Sequence, residues 1–384
     1  MTLVLSLFYI SVGFLPSVPT LMSATAVFFV ATFLTLSFAV FYKSGFKVRF
    51  DGISFLISIF LFVWLPINFL VGLNNGLSPS ELGRGMVPFV FLSSYFVFNQ
   101  LPESRKSQLP KFLMLAAFTW AALILVLNFS EFLAALQGEL SRLTYAVSSL
   151  LVPLGLVGLA FTIYEDDMPK LLRGIGFLLF LSLILTSGYR SQLALAVVMI
   201  LFRYRNILRR ESIAPLFVIA AALITYAFVN ASYLEMMIDR FIYSLGDDVR
   251  SLEVDFAMDV FSQSPFLGSG AGYHVPVEAV RPVSLYEKFE NKHVSYIHNF
   301  LAYSLMCFGA FGTLILGAIL LSPIFRNISF LMSNTHKQKE AAIVLLLILL
   351  TYFQVSASFR QIQMWVVISC LLVIIQSPRR RDHV

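Results

Sequence analysis

Four connections between apolar runs each carry one basic residue, and in all four it is an arginine: Arg84, Arg142, Arg190 and Arg360. An arginine stays charged at any relevant pH and grips phosphate through a fixed fork of donors that lysine lacks. A plainer reading exists for each, an arginine that snorkels to water from a membrane interface. Arg190 stands apart through its surroundings. It lies in Thr186-Ser187-Gly188-Tyr189-Arg190-Ser191, a polar interruption of the apolar stretch from Leu171 to Phe202. A charge and non-helical backbone at such a place are tolerated where they line a cavity inside protein.

His298 is the second chemically capable residue. It lies in His293-Val294-Ser295-Tyr296-Ile297-His298-Asn299-Phe300, at the entry to the next apolar run. A histidine titrates near neutral pH and can move a proton. Asn299 beside it could orient a sugar or the ring. The plainer reading is an interfacial histidine fixed by hydrogen bonds. No spacing of Cys, His, Asp or Glu looks like a metal site, so neither metal nor cofactor is expected. Cys307 and Cys370 both sit in apolar runs and imply no disulfide framework.

The elements that must hold these residues are membrane helices. Apolar residues make up 58% of the 384, charged residues only 12%, and the mean hydropathy is +0.83. Soluble domains carry about 25% charged residues. A soluble chain of this composition would expose large apolar patches and aggregate. Spanning helices need roughly twenty apolar residues each. The candidates are Leu3–Leu15, Leu21–Tyr42, Ile53–Leu73, Met86–Phe98, Lys111–Phe129, Leu143–Tyr164, Ile213–Val229 and Ile297–Ile319. Two long stretches must each be split: Leu171–Phe202 at Thr186 to Arg190, and Ala341–Ile375 near Ser358-Phe359-Arg360. The expectation is an all-α polytopic membrane protein with about twelve transmembrane helices. Leu3–Leu15 has no preceding Lys or Arg and no clear cleavage site, so it reads as a retained first helix rather than a signal peptide.

Lys and Arg in the short loops set the orientation. With the N-terminus inside, the inner loops hold Lys43, Lys47 and Arg49; Arg105, Lys106 and Lys111; Lys170 and Arg173; Arg203, Arg205, Arg209 and Arg210; Arg326, Lys337 and Lys339; and the tail Arg379 to Arg381. That is 18 of the 27 basic residues, and the opposite orientation would put all of them outside. Both termini are therefore expected inside. The long loop from about Asn230 to Tyr296 is then external. The division is residues 1–230 for helices one to nine, 231–296 for the large external loop or cap, and 297–384 for helices ten to twelve and a basic tail. Within the loop, Leu252 to Phe261 is amphipathic, and Ser264-Pro265 and Gly268-Ser269-Gly270-Ala271-Gly272 mark turns. The glycine run superficially matches a dinucleotide loop, but it does not sit between a strand and a helix of a βαβ unit.

Several classes are disfavoured. There is no aromatic-interleaved basic segment of the kind that binds nucleic acid and no Walker-type loop. No Asp or Glu falls mid-span, where a proton-coupled transporter needs one.

Three pieces give the chain a family likeness. One is Ser187-Gly188-Tyr189-Arg190. Another is Arg250 followed by Phe261-Ser262-Gln263-Ser264-Pro265-Phe266-Leu267-Gly268-Ser269-Gly270. The last is His298-Asn299-Phe300-Leu301 running into Phe308-Gly309-Ala310-Phe311-Gly312. In order and placement, over roughly Leu171 to Leu321, they resemble the O-antigen ligase and Wzy-type polysaccharide polymerase superfamily. The aromatic that usually follows the loop arginine is absent, Phe256 being nearest. The resemblance implies a GT-C-like membrane fold with a large periplasmic loop in the bacterial inner membrane. It implies metal-independent glycosyl transfer from an undecaprenyl-pyrophosphate-linked glycan, with other polysaccharide assembly proteins and membrane lipids as candidate partners. The acceptor is another lipid-linked chain in a polymerase, of O-antigen or exopolysaccharide, and lipid A-core in a ligase. On this reading Arg190 and Arg250 hold the pyrophosphate and His298 serves the acceptor hydroxyl. Arg84, Arg142, Arg360 and Asn299 are further substrate-binding candidates. A transporter or flippase of lipid-linked sugars is the alternative of another class, and would show related halves with helices broken at the midplane. A structural scaffold is a further alternative.

Overall fold

A computed structural model describes residues 34–35, 37–45, 49–136, 145–165, 168–187, 189–208, 249–280, 293–294, 297–332 and 337–377. These are mostly helical. The principal helices are α1 (Gly52–Asn74), α2 (Pro79–Val90), α3 (Leu109–Leu127), α4 (Tyr145–Tyr164), α5 (Lys170–Thr186), α6 (Arg190–Leu208), α7 (Val249–Gln263), α8 (Phe300–Asn327), α9 (Lys337–Phe353) and α10 (Ile362–Gln376). Among the described residues, two helical stretches are long and apolar enough to cross a membrane: Gly52–Asn74, with 23 residues, and Phe300–Leu331, with 32. The expected spans Leu3–Leu15 and Ile213–Val229 lie outside the described residues. Leu21–Tyr42 is described only in its last part, where residues 37–43 are helical.

The chain forms two compact units. One contains α1, α2, the start of α3 and α7 to α10; the other contains the rest of α3 and α4 to α6. In the first, α10 is the core helix, with every residue from Met364 to Ile375 buried. Trp365 packs its ring 4.8 Å from Phe89 of α2. The rings of Phe300 and Phe353 lie 6.0 and 6.4 Å from it, and its indole N–H donates to the Phe359 carbonyl.

Helix α1 widens to a π-helical turn at Ile59–Trp64. Pro66 explains it. A proline has no N–H to give the carbonyl four residues back, and its ring crowds that carbonyl. One turn further, Asn68 is wholly buried. Its Nδ2 donates to the Cys307 carbonyl at 2.6 Å and to the Leu267 carbonyl at 3.4 Å, while its Oδ1 accepts from the Ala271 N–H at 2.8 Å.

Those partners belong to the break in α8. At Gly309 the chain adopts φ 66° and ψ −176°, a combination essentially confined to glycine. The N–H groups of Ala310 and Phe311 donate to the Pro265 and Phe266 carbonyls, at 2.8 and 3.4 Å. In return the Met306 and Cys307 carbonyls accept from Ser269 and Gly270, at 2.9 and 3.0 Å. Backbone groups shut away from water need partners, and here a loop takes over where the helix ladder is broken.

The loop approaches so closely that glycine is needed on both sides. A Cβ on Gly268 would lie 2.4 Å from the Cys307 carbonyl oxygen, one on Gly270 2.6 Å from the Gly72 Cα, and one on Gly85 2.4 Å from the Gly272 nitrogen. The run Gly268–Gly272 is a turn, as its composition indicates, and it is wedged against α1, α2 and α8. Gly312, the second of the α8 glycines, makes room for the Trp64 indole.

A two-stranded antiparallel ribbon, β1 (Val275–Pro276) with β2 (His293–Val294), follows the loop. At the other end of α1, Asp51 caps the helix through the Ser54 N–H and accepts from Tyr95 and Asn99. The buried Lys106 amine is held there by Asn99 and Glu103.

In the second unit, Gly158 and Gly176 let α4, α5 and α3 pack closely, against the rings of Phe180 and Phe118. The apolar stretch 171–202 breaks where the polar residues indicate, α5 ending at Thr186 and α6 beginning at Arg190. Thr186, Ser187 and Gln192 are buried in this break. The Ser187 hydroxyl donates to the Ile184 carbonyl at 2.7 Å, and the Tyr189 N–H points back at Ser187 Oγ. The second expected break is also present: α9 ends at Phe353, and a 3-10 turn at Ala357–Arg360 precedes α10.

Candidate functional site

Helix α8 starts at Phe300, behind Asn299. The Asn299 side-chain oxygen accepts from the Ala302 N–H at 2.8 Å, an N-cap that sequence composition favours at this position. Asn299 was expected to orient substrate; its oxygen is committed to the helix start. The Leu301 N–H donates to Gln354 Oε1 at 3.2 Å, which ties this start to the turn that ends α9.

His298 immediately precedes the cap and is clasped by Glu253 of α7. The His298 backbone N–H donates to Glu253 Oε2 at 2.7 Å, and ring Nδ1 lies 2.9 Å from Oε1 and 3.1 Å from Oε2. The Glu253 side chain is 1% exposed and that of His298 25%. The carboxylate is thus inside, and the imidazole is the part of the pair that meets the surface.

Arg250 stands one helical turn before Glu253 on α7. Such spacing puts both on one helix face. Arg250 is exposed, and one guanidinium N–H, on Nη1, donates to the Val355 carbonyl, next to Gln354. Three elements therefore meet at one place: the start of α7, the start of α8 and the turn after α9. The N–H groups of His298, Leu301 and Ala302 are all taken by side chains. An anion here would depend on arginine rather than on the bare end of the helix.

Arg360 belongs to the same compact unit. Its 3-10 turn packs against α2 and α9, and its guanidinium is within electrostatic reach of Tyr303 and Cys307, further along α8. Arg84 is exposed on α2, just before the Gly85–Gly272 contact. The contacts that gather Arg250, Glu253, His298 and Gln354 do not involve it. Arg190 is the first residue of α6, in the other unit. Arg142 lies outside the described residues. Phe256 is half-buried, its ring 6.5 Å from that of Tyr273.

A second histidine–carboxylate contact lies on α2. His274 Nε2 is 2.6 Å from Glu81 Oε1, and the His293 ring stands 5.6 Å from that of His274. The Ser78 backbone N–H and hydroxyl, together with His274, hold the Glu81 carboxyl down to about 2. Glu81 thereby completes a capping box at the start of α2. Among the described residues, no group of three or more His, Cys, Asp or Glu is placed to hold a metal ion. Both cysteines are buried and unbridged.

Glu253 and Gln354 were not singled out from sequence. Glu253 carried one signal, its position three residues after Arg250 at the start of an amphipathic stretch. The whole defines a helical protein with membrane-length apolar helices and an imidazole–carboxylate pair flanked by an arginine. No family model matches the chain, and comparison with curated proteins finds no match.

Proposed function

We propose that this chain is a multi-pass glycosyltransferase of the bacterial inner membrane, polymerising undecaprenyl-pyrophosphate-linked glycan repeat units at the periplasmic face. In this reading about twelve helices span the bilayer, both termini are cytoplasmic and residues 231–296 form the periplasmic loop. The observation that carries it is the meeting of His298, backed by Glu253, with Arg250 at the start of α8. The likeness of the motifs around these residues to the polymerase and ligase superfamily supports it.

The acceptor hydroxyl oxygen bonds to the anomeric carbon of the donor, and the bond from that carbon to the pyrophosphate oxygen breaks. The electron pair leaves with the pyrophosphate. His298 takes the hydroxyl proton. Negative charge grows on the leaving group, and arginines already in place stabilise it with little reorganisation. Arg250 and Arg190 are assigned that task, with Arg84, Arg142 and Arg360 as further contacts.

Deleting the gene and resolving the surface polysaccharide on a gel tests the proposal. Single-repeat products are the expected result. Uncapped core with finished chains left on the lipid carrier would instead assign the ligase reaction, and unchanged polysaccharide would overturn the transferase reading.

A further inference from the structure

We propose that Glu253 is a positioning residue that fixes the tautomer and ring plane of His298, so that the imidazole presents Nε2 to the acceptor hydroxyl. This rests on the transfer reading of the site. An ionised carboxylate only accepts hydrogen bonds. Glu253 meets two nitrogens of a single residue, the donating His298 backbone N–H at 2.7 Å and ring Nδ1 at 2.9 Å. Against an ionised Glu253, Nδ1 carries the proton of the neutral ring and the lone pair falls on Nε2. The backbone contact fixes where the carboxylate sits relative to the ring. The Asn299 cap and the Gln354 contact fix the chain just beyond it. When Nε2 takes up a proton, the resulting imidazolium is stabilised across Nδ1 by a carboxylate that is 1% exposed.

The plainer role for Glu253 is a tether between α7 and the start of α8, and an amide replacement separates the two. Glutamine offers one acceptor and one donor group where glutamate offers two acceptors. If its oxygen keeps the His298 backbone N–H, its amine faces Nδ1. The ring must then carry its proton on Nε2, where it cannot act as a base. A tether alone would leave the tautomer unchanged.

The test uses the full-length protein in micelles with ¹⁵N-labelled histidine, the His298 signals being assigned by their loss in His298→Gln. In the wild type, Nδ1 is expected to resonate as a protonated nitrogen and Nε2 as an unprotonated one. In Glu253→Gln the pattern is expected to reverse or mix. Turnover should then fall by about 10²–10⁴-fold, the usual worth of a general base, with donor binding retained. A wild-type ring protonated on Nε2 would overturn the inference, and that reading needs no Glu253 variant to fold. So would an unchanged tautomer in a folded Glu253→Gln. If the tautomers behave as expected but His298→Gln turns over normally, the base role fails while the placement by Glu253 stands.

Discussion

The N–H of Ser269 sits on the Met306 carbonyl at 2.9 Å, in the place that the N–H of Ala310 holds in an unbroken helix. Gly270 does the same for Cys307, and the displaced N–H groups of Ala310 and Phe311 are returned to Pro265 and Phe266. The exchange lets a loop enter beside α8 without leaving these backbone groups unsatisfied. It also links the chain just after α7, which carries Arg250 and Glu253, to the helix that begins behind His298.

Gly309→Ala should be poorly tolerated. A side chain at φ 66°, ψ −176° costs about 1–3 kcal/mol in backbone strain alone. Its Cβ would also lie 2.4 Å from the Phe266 carbonyl oxygen. Gly76→Ala is the control, since Gly76 has φ +83° but nothing within 4 Å of a new Cβ. Thermal unfolding in detergent should show a large loss for Gly309→Ala and a smaller one for Gly76→Ala. Equal losses would mean that the close approach of the loop to α8 contributes nothing.

Asn68→Leu removes the polar group that joins α1 to both sides of this exchange. The side chain is similar in size but leaves the Ala271 N–H without its acceptor and the Cys307 carbonyl with one donor fewer. A buried group left unpaired costs about 1–3 kcal/mol. The expected outcome is a lowered unfolding temperature that Asn68→Asp does not rescue, since a carboxylate has no N–H for Cys307. Unchanged stability in Asn68→Leu would contradict the anchoring role.

Much of the helix layout was legible because apolar runs and polar interruptions are local signals. The break after Thr186 and the one before Ile362 fall where Ser187 to Arg190 and Ser358 to Arg360 indicate. The helix over the expected span Met86–Phe98 begins earlier, at Pro79. Hydropathy passes over Ser78 and Glu81, whose spacing is a helix-start signal in its own right. His298 could be singled out because it stands at the mouth of an apolar run. Glu253 could not be paired with it, since 45 residues separate them and no spacing rule reaches that far. Asn68 was hidden for a different reason: one polar residue in an apolar run shows nothing of its partners in the chain 199 to 239 residues on.

Orientation is tested by single cysteines. A membrane-impermeant thiol reagent applied from the periplasm should label Gly76→Cys, in the turn after α1, and Gly138→Cys. It should spare Ser107→Cys, beside Arg105 and Lys106. Reversed labelling would move every proposed site residue to the cytoplasmic side.

Arg250→Lys and Arg190→Lys keep the charge but lose the planar fork. Each should lower activity by about a hundredfold or more, as loss of a transition-state donor does, while expression is maintained. Full activity in Arg250→Ala would remove that residue from the pyrophosphate site, and the same result for Arg190→Ala would remove Arg190.

The most direct measurement is turnover of purified His298→Gln with a lipid-linked donor, alongside donor binding by the same sample. Glutamine can replace one hydrogen bond of the ring but cannot accept a proton at neutral pH. The expected result is turnover as low as that of His298→Ala, lower than wild type by about 10²–10⁴-fold, with the donor still bound through its pyrophosphate. Near-normal turnover in His298→Gln would contradict the assignment of His298 as the base for glycosyl transfer.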